Sequence, residues 1–249
     1  MAPPTGQLVE RRPDPRLRPV VAGRYAGWTL RPDRIDRFVV PAHVSVPLVI
    51  KIEDSALRPP EFVHGAAARP TPFEGGCAAR YVQVDLTPLG AYRILGVPMH
   101  QIAGRLVDVS DLIGRREIID TVRDAPSWAA RFTAIDRFLL TRIEIAPPVS
   151  DQVAFAWREL IRSGGTAPIR GICRETGWSH KHLITRFREQ VGLTPKLAAR
   201  VIRFQRVLRQ LDSGTGWARI ANRCGYADQA HLIRDFAEFA GTTPARVRR

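Results

Sequence analysis

Residues 172–178 read ICRETGW and residues 220–226 read IANRCGY, so two stretches of this 249-residue chain repeat each other at an offset of 48 positions. The similarity continues at an offset of 49, where His182, Leu183, Ile184, Phe187, Gly192, Thr194 and Pro195 match His231, Leu232, Ile233, Phe236, Gly241, Thr243 and Pro244. Self-similarity of this kind indicates a duplicated structural unit.

Each copy is predicted to form a helix, a tight turn and a second helix. Gly177 and Gly225 stand where the first helix must end, because glycine adopts the left-handed backbone conformation with little strain. Ser179 and Asp228 follow as N-caps of the second helices. A plain helical hairpin without a ligand has the same pattern, so the repeat by itself does not decide the function.

The charge distribution favours a polyanionic partner for the repeated part. The chain carries a formal net charge of +14 and has a pI of about 11.1. Residues 1–150 hold 20 Lys and Arg against 16 Asp and Glu, whereas residues 151–249 hold 18 against 8. Nucleic acid and an anionic membrane surface both attract such a chain, and concentration of the excess beside a helix-turn-helix repeat favours nucleic acid.

The second helix of such a unit places exposed residues near its N-terminus in the major groove of DNA. The outward-facing candidates of the first unit are His180, Lys181, Ile184, Thr185 and Arg188. Those of the second unit are Gln229, Ala230, Ile233 and Arg234. Arg234 suits a bidentate contact with guanine, and Gln229 suits adenine. The helix predicted at Pro195–Leu211 connects the units, and Lys196, Arg200 and Arg203 on it are predicted to contact phosphates.

The second unit has a recognisable signature. Residues 224–236 read CGYADQAHLIRDF and residues 239–244 read FAGTTP. They resemble the AraC/XylS family of bacterial transcription regulators over about residues 151–249. The resemblance implies seven helices, two reading helices, and action as an activator or repressor in the cytoplasm, nucleoid-associated when bound. It also implies double-stranded DNA, RNA polymerase, an unknown small-molecule effector and a second copy of the chain as partners.

The first part of the chain has a different composition. Seventeen of the 20 prolines lie in residues 1–150, which predicts short strands, turns and loops. Val44–Ile52 and Arg80–Leu86 are predicted strands, and Ser127–Ile143 has the apolar spacing of an amphipathic helix. A linker is predicted near residues 145–151.

We therefore predict an α+β chain in three parts. Residues 1–19 form a flexible tail, because proline is frequent there. Residues 20–146 form an effector-binding or dimerisation domain, and its cupin-like β-barrel is implied by the family resemblance. Residues 151–249 form the all-α DNA-binding domain, with two helix-turn-helix units joined by a linker helix.

Other functional classes find weaker support in the sequence. No apolar stretch approaches the roughly 20 residues of a membrane span, and the N-terminus lacks the apolar segment of a secretory signal. His43, His64 and His100 lack the spacing of a metal site, Glu53 and Glu61 lie in loop-like contexts, and no cofactor is expected. Cys77 has no neighbouring base in the sequence. The alternative that stays open is a DNA-tethered enzyme with a metal or thiol centre in the first part.

Overall fold

The computed structural model describes residues 6–30, 37–52, 61–74, 80–113, 117–211 and 214–247. Strands fill most of the first part of the chain, and helices fill the second part. The predicted α+β class and the order of its two parts are confirmed. Residues 146–150 form neither helix nor strand between the two parts.

The strands of the described residues form two antiparallel sheets. They are β1 (Gly6–Arg11), β2 (Val21–Leu30), β3 (Arg37–Val40), β4 (Val46–Lys51), β5 (Phe62–His64), β6 (Thr71–Glu74), β7 (Arg80–Leu86) and β8 (Leu106–Asp108). The larger sheet has the order β1-β2-β7-β4-β5-β8, and β3 pairs with β6 in the smaller one.

Strand β7 lies inside the larger sheet because its sequence alternates. Val82, Val84 and Leu86 are buried on one face, and Val84 is paired with Tyr25 of β2 and with Leu48 of β4. One face of the sheet therefore carries a continuous apolar layer, as period-two patterning requires.

Four helices follow or cover this sheet: α1 (Pro88–Leu95), α2 (Val109–Ile113), α3 (Glu117–Asp124) and α4 (Trp128–Glu144). Helix α4 was predicted from its spacing, and Ser127 caps it by accepting a hydrogen bond from the Ala130 amide at 3.2 Å. It packs on the apolar layer, where the Phe132 and Tyr25 rings stack with centroids 5.7 Å apart.

The predicted flexible tail is wrong from residue 6 onward. Strand β1 pairs along its whole length with β2, and Leu17 is fully buried in a 3-10 turn, Pro15–Leu17. Asp136 of α4 holds this segment by accepting hydrogen bonds from the Asp14 amide at 3.0 Å and from the Tyr25 hydroxyl at 2.7 Å. The prolines lie outside β1, and Pro15 begins the 3-10 turn, so they do not interrupt strand pairing.

Seven helices make up the second part within residues 151–211 and 214–247, as the family resemblance implied. They are α5 (Asp151–Arg162), α6 (Ile169–Thr176), α7 (His180–Val191), α8 (Pro195–Leu208), α9 (Trp217–Cys224), α10 (Gln229–Ala240) and α11 (Pro244–Val247). Helix α8 was predicted to reach Leu211 and ends as an α-helix at Leu208.

The two parts of the chain touch at the C-terminal ends of α7 and α10. Helix α7 packs against α1 and the 3-10 turn Met99–Gln101. The Ala42 amide donates a hydrogen bond of 2.8 Å to the carbonyl of Phe239 in α10. The first part therefore contacts both copies of the repeat.

Candidate nucleic-acid interface

Each repeat forms the helix, turn and helix that its sequence predicts. Helices α6 and α7 are the first unit, and α9 and α10 are the second. Gly177 ends α6 with φ 68°, and Gly225 ends α9 with φ 78°. The side chain of Ser179 caps α7 at the His182 amide, and that of Asp228 caps α10 at the His231 amide.

The apolar side of each second helix is buried. Leu183 and Phe187 of α7 and Leu232 and Phe236 of α10 are at most 1% exposed. An aromatic ring beside each turn also contacts the following helix edge-on: Trp178 meets the His182 ring with centroids 4.4 Å apart, and Tyr226 meets the His231 ring at 5.1 Å. The two units therefore present equivalent sides of α7 and α10 outward.

The predicted reading residues all lie on the accessible sides of α7 and α10. His180, Lys181, Thr185 and Arg188 of the first unit and Gln229, Ala230 and Arg234 of the second unit are exposed, and Ile184 and Ile233 are half-buried. The Thr185 hydroxyl donates to the Lys181 carbonyl of its own helix at 3.1 Å. The hydroxyl is thus occupied as a donor, so toward a base it can only accept, and the Thr185 methyl group offers apolar contact.

The three predicted phosphate-binding residues have different surroundings. Lys196 is exposed at the start of α8. Arg200 instead forms ion pairs with Asp235 at 2.7 Å and Glu238 at 2.6 Å, and its guanidinium lies 4.8 Å from the centroid of the Phe239 ring. Burial opposes its charge, but hydrogen bonds to both carboxylates raise the pKa of Arg200 above its usual value. Arg200 is therefore committed to holding α8 against α10.

Arg203 links the α5–α6 loop to the second unit. Its Nη1 donates to the Gly165 carbonyl at 3.3 Å, and its guanidinium lies over the Tyr226 ring at 5.3 Å. Its Nε is buried without a hydrogen-bond partner among the described residues. These contacts give Arg203 a structural role, and its phosphate contact stays a prediction.

A groove of about 750 Å³ lies between the α5–α6 loop, α8 and α10. Its lining includes Lys196, Arg200, Arg203 and Arg234, with Asp235 and Glu238 on the same walls. Asp235 and Glu238 form ion pairs with Arg200, so Lys196 and Arg234 add positive charge to the groove that these two carboxylates do not neutralise. The groove thus has the electrostatics that attract a polyanion.

A protein-family model described as "Helix-turn-helix domain" matches residues 172–249. The match begins at the first helix of the first unit and includes both turns, both reading helices and α8. The matched residues make up less than a third of the chain.

The chain is similar to part of one curated protein, the "Uncharacterized HTH-type transcriptional regulator YbfI" of Bacillus subtilis (strain 168). The two are 28% identical over 94 residues, which is 37% of this chain and 34% of YbfI. The match thus spans about a third of that relative.

Solved structures of ToxT from Vibrio cholerae resemble the chain over more of its length. ToxT from strain O395 is 13% identical, with a TM-score of 0.48 over 90% of this chain and 96% of that chain. A ToxT from strain SCE256 with bound unsaturated fatty acid is 14% identical, with a TM-score of 0.43 over 96% of both chains.

Outside residues 172–249, two of the three histidines considered as metal ligands lie next to each other. His43 Nε2 and His64 Nδ1 are 2.9 Å apart and share a hydrogen bond, and His100 is exposed. Burial lowers the pKa of His64 to about 4 and also lowers the pKa of His43, which favours a neutral pair. The described residues contain no group of three His, Cys, Asp or Glu placed to hold a metal ion.

Of the other residues considered for a metal or thiol centre, only one lies within the described part of the chain. Glu61 forms a salt bridge with Arg123, whereas Glu53 and Cys77 lie outside the described residues. No described helix is both long and apolar enough to cross a membrane.

Sequence reasoning missed the contribution of Arg206. Its Nη1 donates to the Gly164 carbonyl at 3.4 Å and its Nη2 to the Arg223 carbonyl at 2.9 Å. The signal available in the sequence was the pair Gly164-Gly165 after the C-cap of α5, because carbonyls near a helix end attract cationic side chains.

Proposed function

We propose that the chain is a sequence-specific DNA-binding transcription regulator of the AraC/XylS type, whose two units enter adjacent major-groove segments. One observation carries the proposal: α7 and α10 each bury an apolar side and leave a polar side accessible near the capped N-terminus. Major-groove reading requires that combination of a fixed helix and an accessible side.

The two units differ in the base contacts that they offer. In the second unit, Arg234 is assigned to guanine and Gln229 to adenine, while Ala230 and Ile233 offer apolar contact with a thymine methyl group. In the first unit, Lys181 and His180 offer donors to guanine or phosphate. Ile184 and the Thr185 methyl group suit thymine, and Arg188 lies further along the same helix.

For backbone contacts, Lys196 keeps its predicted role. It is exposed on the groove that also contains Arg234, so one phosphate near this groove would meet two cationic side chains. The ion pairs of Arg200 argue against the phosphate contact predicted for it, and we reassign it to positioning α10.

The first part of the chain is proposed to modulate DNA binding through a ligand or through self-association. Its contacts with Phe239 and with the end of α7 support this, because a change in the first part would reach both units. The family resemblance supplies RNA polymerase and a second copy of the chain as further partners, and the proposal assigns no catalytic residue.

Selection of bound fragments from random genomic DNA, including the region upstream of the protein's own gene, tests this function. We expect enrichment of a bipartite motif with two half-sites about one helical turn apart, roughly 34 Å. The doubly substituted Lys181→Ala, Arg234→Ala chain serves as a control that should lose the motif and keep weak salt-dependent binding. Enrichment of no motif by the wild-type chain would reject sequence-specific binding.

A further inference from the structure

The side of α8 that faces both units carries two arginines, three residues apart. Arg206 donates to the Gly164 carbonyl on the first-unit side and to the Arg223 carbonyl in the second unit. Arg203 donates to the Gly165 carbonyl and stacks on Tyr226 of the second unit. Each guanidinium therefore links the α5–α6 loop, which leads into the first unit, to the second unit.

One acceptor of Arg206, the Arg223 carbonyl, lies in the last turn of α9, and the other, the Gly164 carbonyl, lies just beyond the end of α5, two residues after its last residue. The carbonyls of a last helical turn lack intrahelical partners and carry the negative end of the helix dipole. A planar guanidinium has donors spaced to meet the Arg223 and Gly164 carbonyls at once, whereas a lysine ammonium is a compact charge.

The α5–α6 loop and the second unit also touch without the arginines. A Cβ atom added to Gly225, in the turn of the second unit, would lie 2.3 Å from Cγ2 of Thr166 in the α5–α6 loop. The loop lies equally close to α8, since a Cβ at Gly165 would lie 2.2 Å from the Ala199 carbonyl oxygen. The loop, α8 and the second turn therefore form a packed contact with no room for an added methyl group.

We propose that Arg206, with Arg203 beside it, fixes the spacing and rotation of the two reading helices and so sets the half-site spacing that the protein accepts. This inference rests on the proposed function. Inserting one base pair moves a half-site by about 3.4 Å and turns it by about 34° around the DNA axis. We call the contacts of Arg206 and Arg203 with the α5–α6 loop and the second unit the joint. A domain whose joint is intact cannot follow that displacement, whereas a domain with a weakened joint can.

The experiment uses the full chain and a fragment enriched by the wild-type protein, with its half-sites mapped by footprinting. The affinity is measured on that fragment and on versions with one base pair inserted or deleted between the half-sites. For the wild type, we expect the dissociation constant to rise at least about 30-fold on the altered spacing. For Arg206→Lys, which keeps the charge, we expect a rise of less than about fivefold.

Two further variants separate the joint from a loss of charge or of folding. We call the dissociation constant on the altered spacing, divided by that on the original fragment, the spacing ratio. Arg209→Ala removes an exposed charge from the C-cap of α8 and should keep the wild-type spacing ratio. Arg203→Ala should lower the spacing ratio, with circular dichroism confirming the helix content. If Arg203→Ala does not fold, Arg206→Lys decides.

The outcomes are distinguishable. Failure of the wild type to enrich any fragment rejects the proposed function itself. Enrichment followed by the wild-type spacing ratio in Arg206→Lys overturns the joint while the proposed function stands. A salt slope that falls by about one in Arg206→Ala, with an unchanged spacing ratio, would make Arg206 a phosphate contact and also overturn the joint.

Discussion

Replacing Gly225 by alanine should cost more stability than the same change at Gly177, although the two glycines are equivalent in the repeat. Both have positive φ, 78° and 68°, so both variants carry the left-handed backbone cost of about 1 kcal/mol. The surroundings differ: a Cβ at Gly177 meets nothing within 4 Å, whereas a Cβ at Gly225 lies 2.3 Å from Thr166 Cγ2.

The size of the difference follows from how Thr166 can respond. Carbon atoms in contact prefer a separation of about 3.5–4.0 Å, so Cγ2 must move by more than an ångström. The cheapest movement is a rotation about χ1, which breaks the 2.9 Å hydrogen bond from Thr166 Oγ1 to the Ser163 carbonyl. Losing such a bond costs about 1 kcal/mol, less than overpacking a rigid neighbour. We therefore expect Gly177→Ala to cost about 1 kcal/mol and Gly225→Ala about 2 kcal/mol.

The assay is urea unfolding at 25 °C, followed by circular dichroism and tryptophan fluorescence. Thr166→Ser provides the matched control, because serine lacks Cγ2 and can keep the hydroxyl bond to Ser163. In that background, Gly225→Ala should cost no more than Gly177→Ala. Equal costs of the two alanine substitutions in the wild-type background, or an unchanged cost in the Thr166→Ser background, would refute the reasoning.

Three further predictions concern DNA binding, acid stability and the amino-terminal segment. Arg234→Ala should weaken specific binding by about 1–3 kcal/mol and relax the preference at one base pair, and an equal loss on random DNA in the same gel-shift assay would contradict base reading. Burial lowers the pKa of His64 from 6.5 to about 4, so the folded state excludes its proton and the free energy of unfolding falls as the pH drops from 6.5 toward 4. Lowering the pH from 7.5 to 5 should therefore reduce the free energy of unfolding, measured with urea, by about 2 kcal/mol through this residue. A His64→Gln chain with the same pH dependence would argue against a neutral buried ring. Asp136→Asn should destabilise the fold by about 1–3 kcal/mol and speed proteolysis within β1, because it weakens the shared acceptor of Asp14, Tyr25 and Arg11, and a wild-type cleavage rate would count against that role.

Local patterns predicted the helical part well because its signals are short-range. The turn glycines, the caps Ser179 and Asp228, and the buried stripe of α10 each depend on residues within one or two helical turns. The same reasoning missed β2, whose sequence VAGRYAGWTL contains two glycines and no regular alternation. Strand β2 is held by its neighbours β1 and β7, and such long-range pairing leaves little trace in one sequence.

The arginines of α8 show a second limit. Their spacing placed Arg200 and Arg203 on one polar side of a basic helix, and solvent or phosphate was the natural assignment. The structure supplies acceptors that are distant in sequence, Asp235 for Arg200 and a glycine carbonyl before the first unit for Arg203. A cationic side chain looks the same in a sequence whether it faces solvent or the end of another helix.

The ends of the two reading helices carry a further consequence. Gly192 and Gly241 end α7 and α10, and a Cβ at these positions would lie 3.2 Å from the Met99 carbonyl oxygen and 3.1 Å from Pro70 Cγ. Each helix therefore ends against the first part of the chain through bare backbone, where an added methyl group would force its neighbour to move by a few tenths of an ångström. A substitution at Gly192 or at Gly241 would disturb the contact of one reading helix and leave that of the other unchanged, so the docking of each unit can be altered separately.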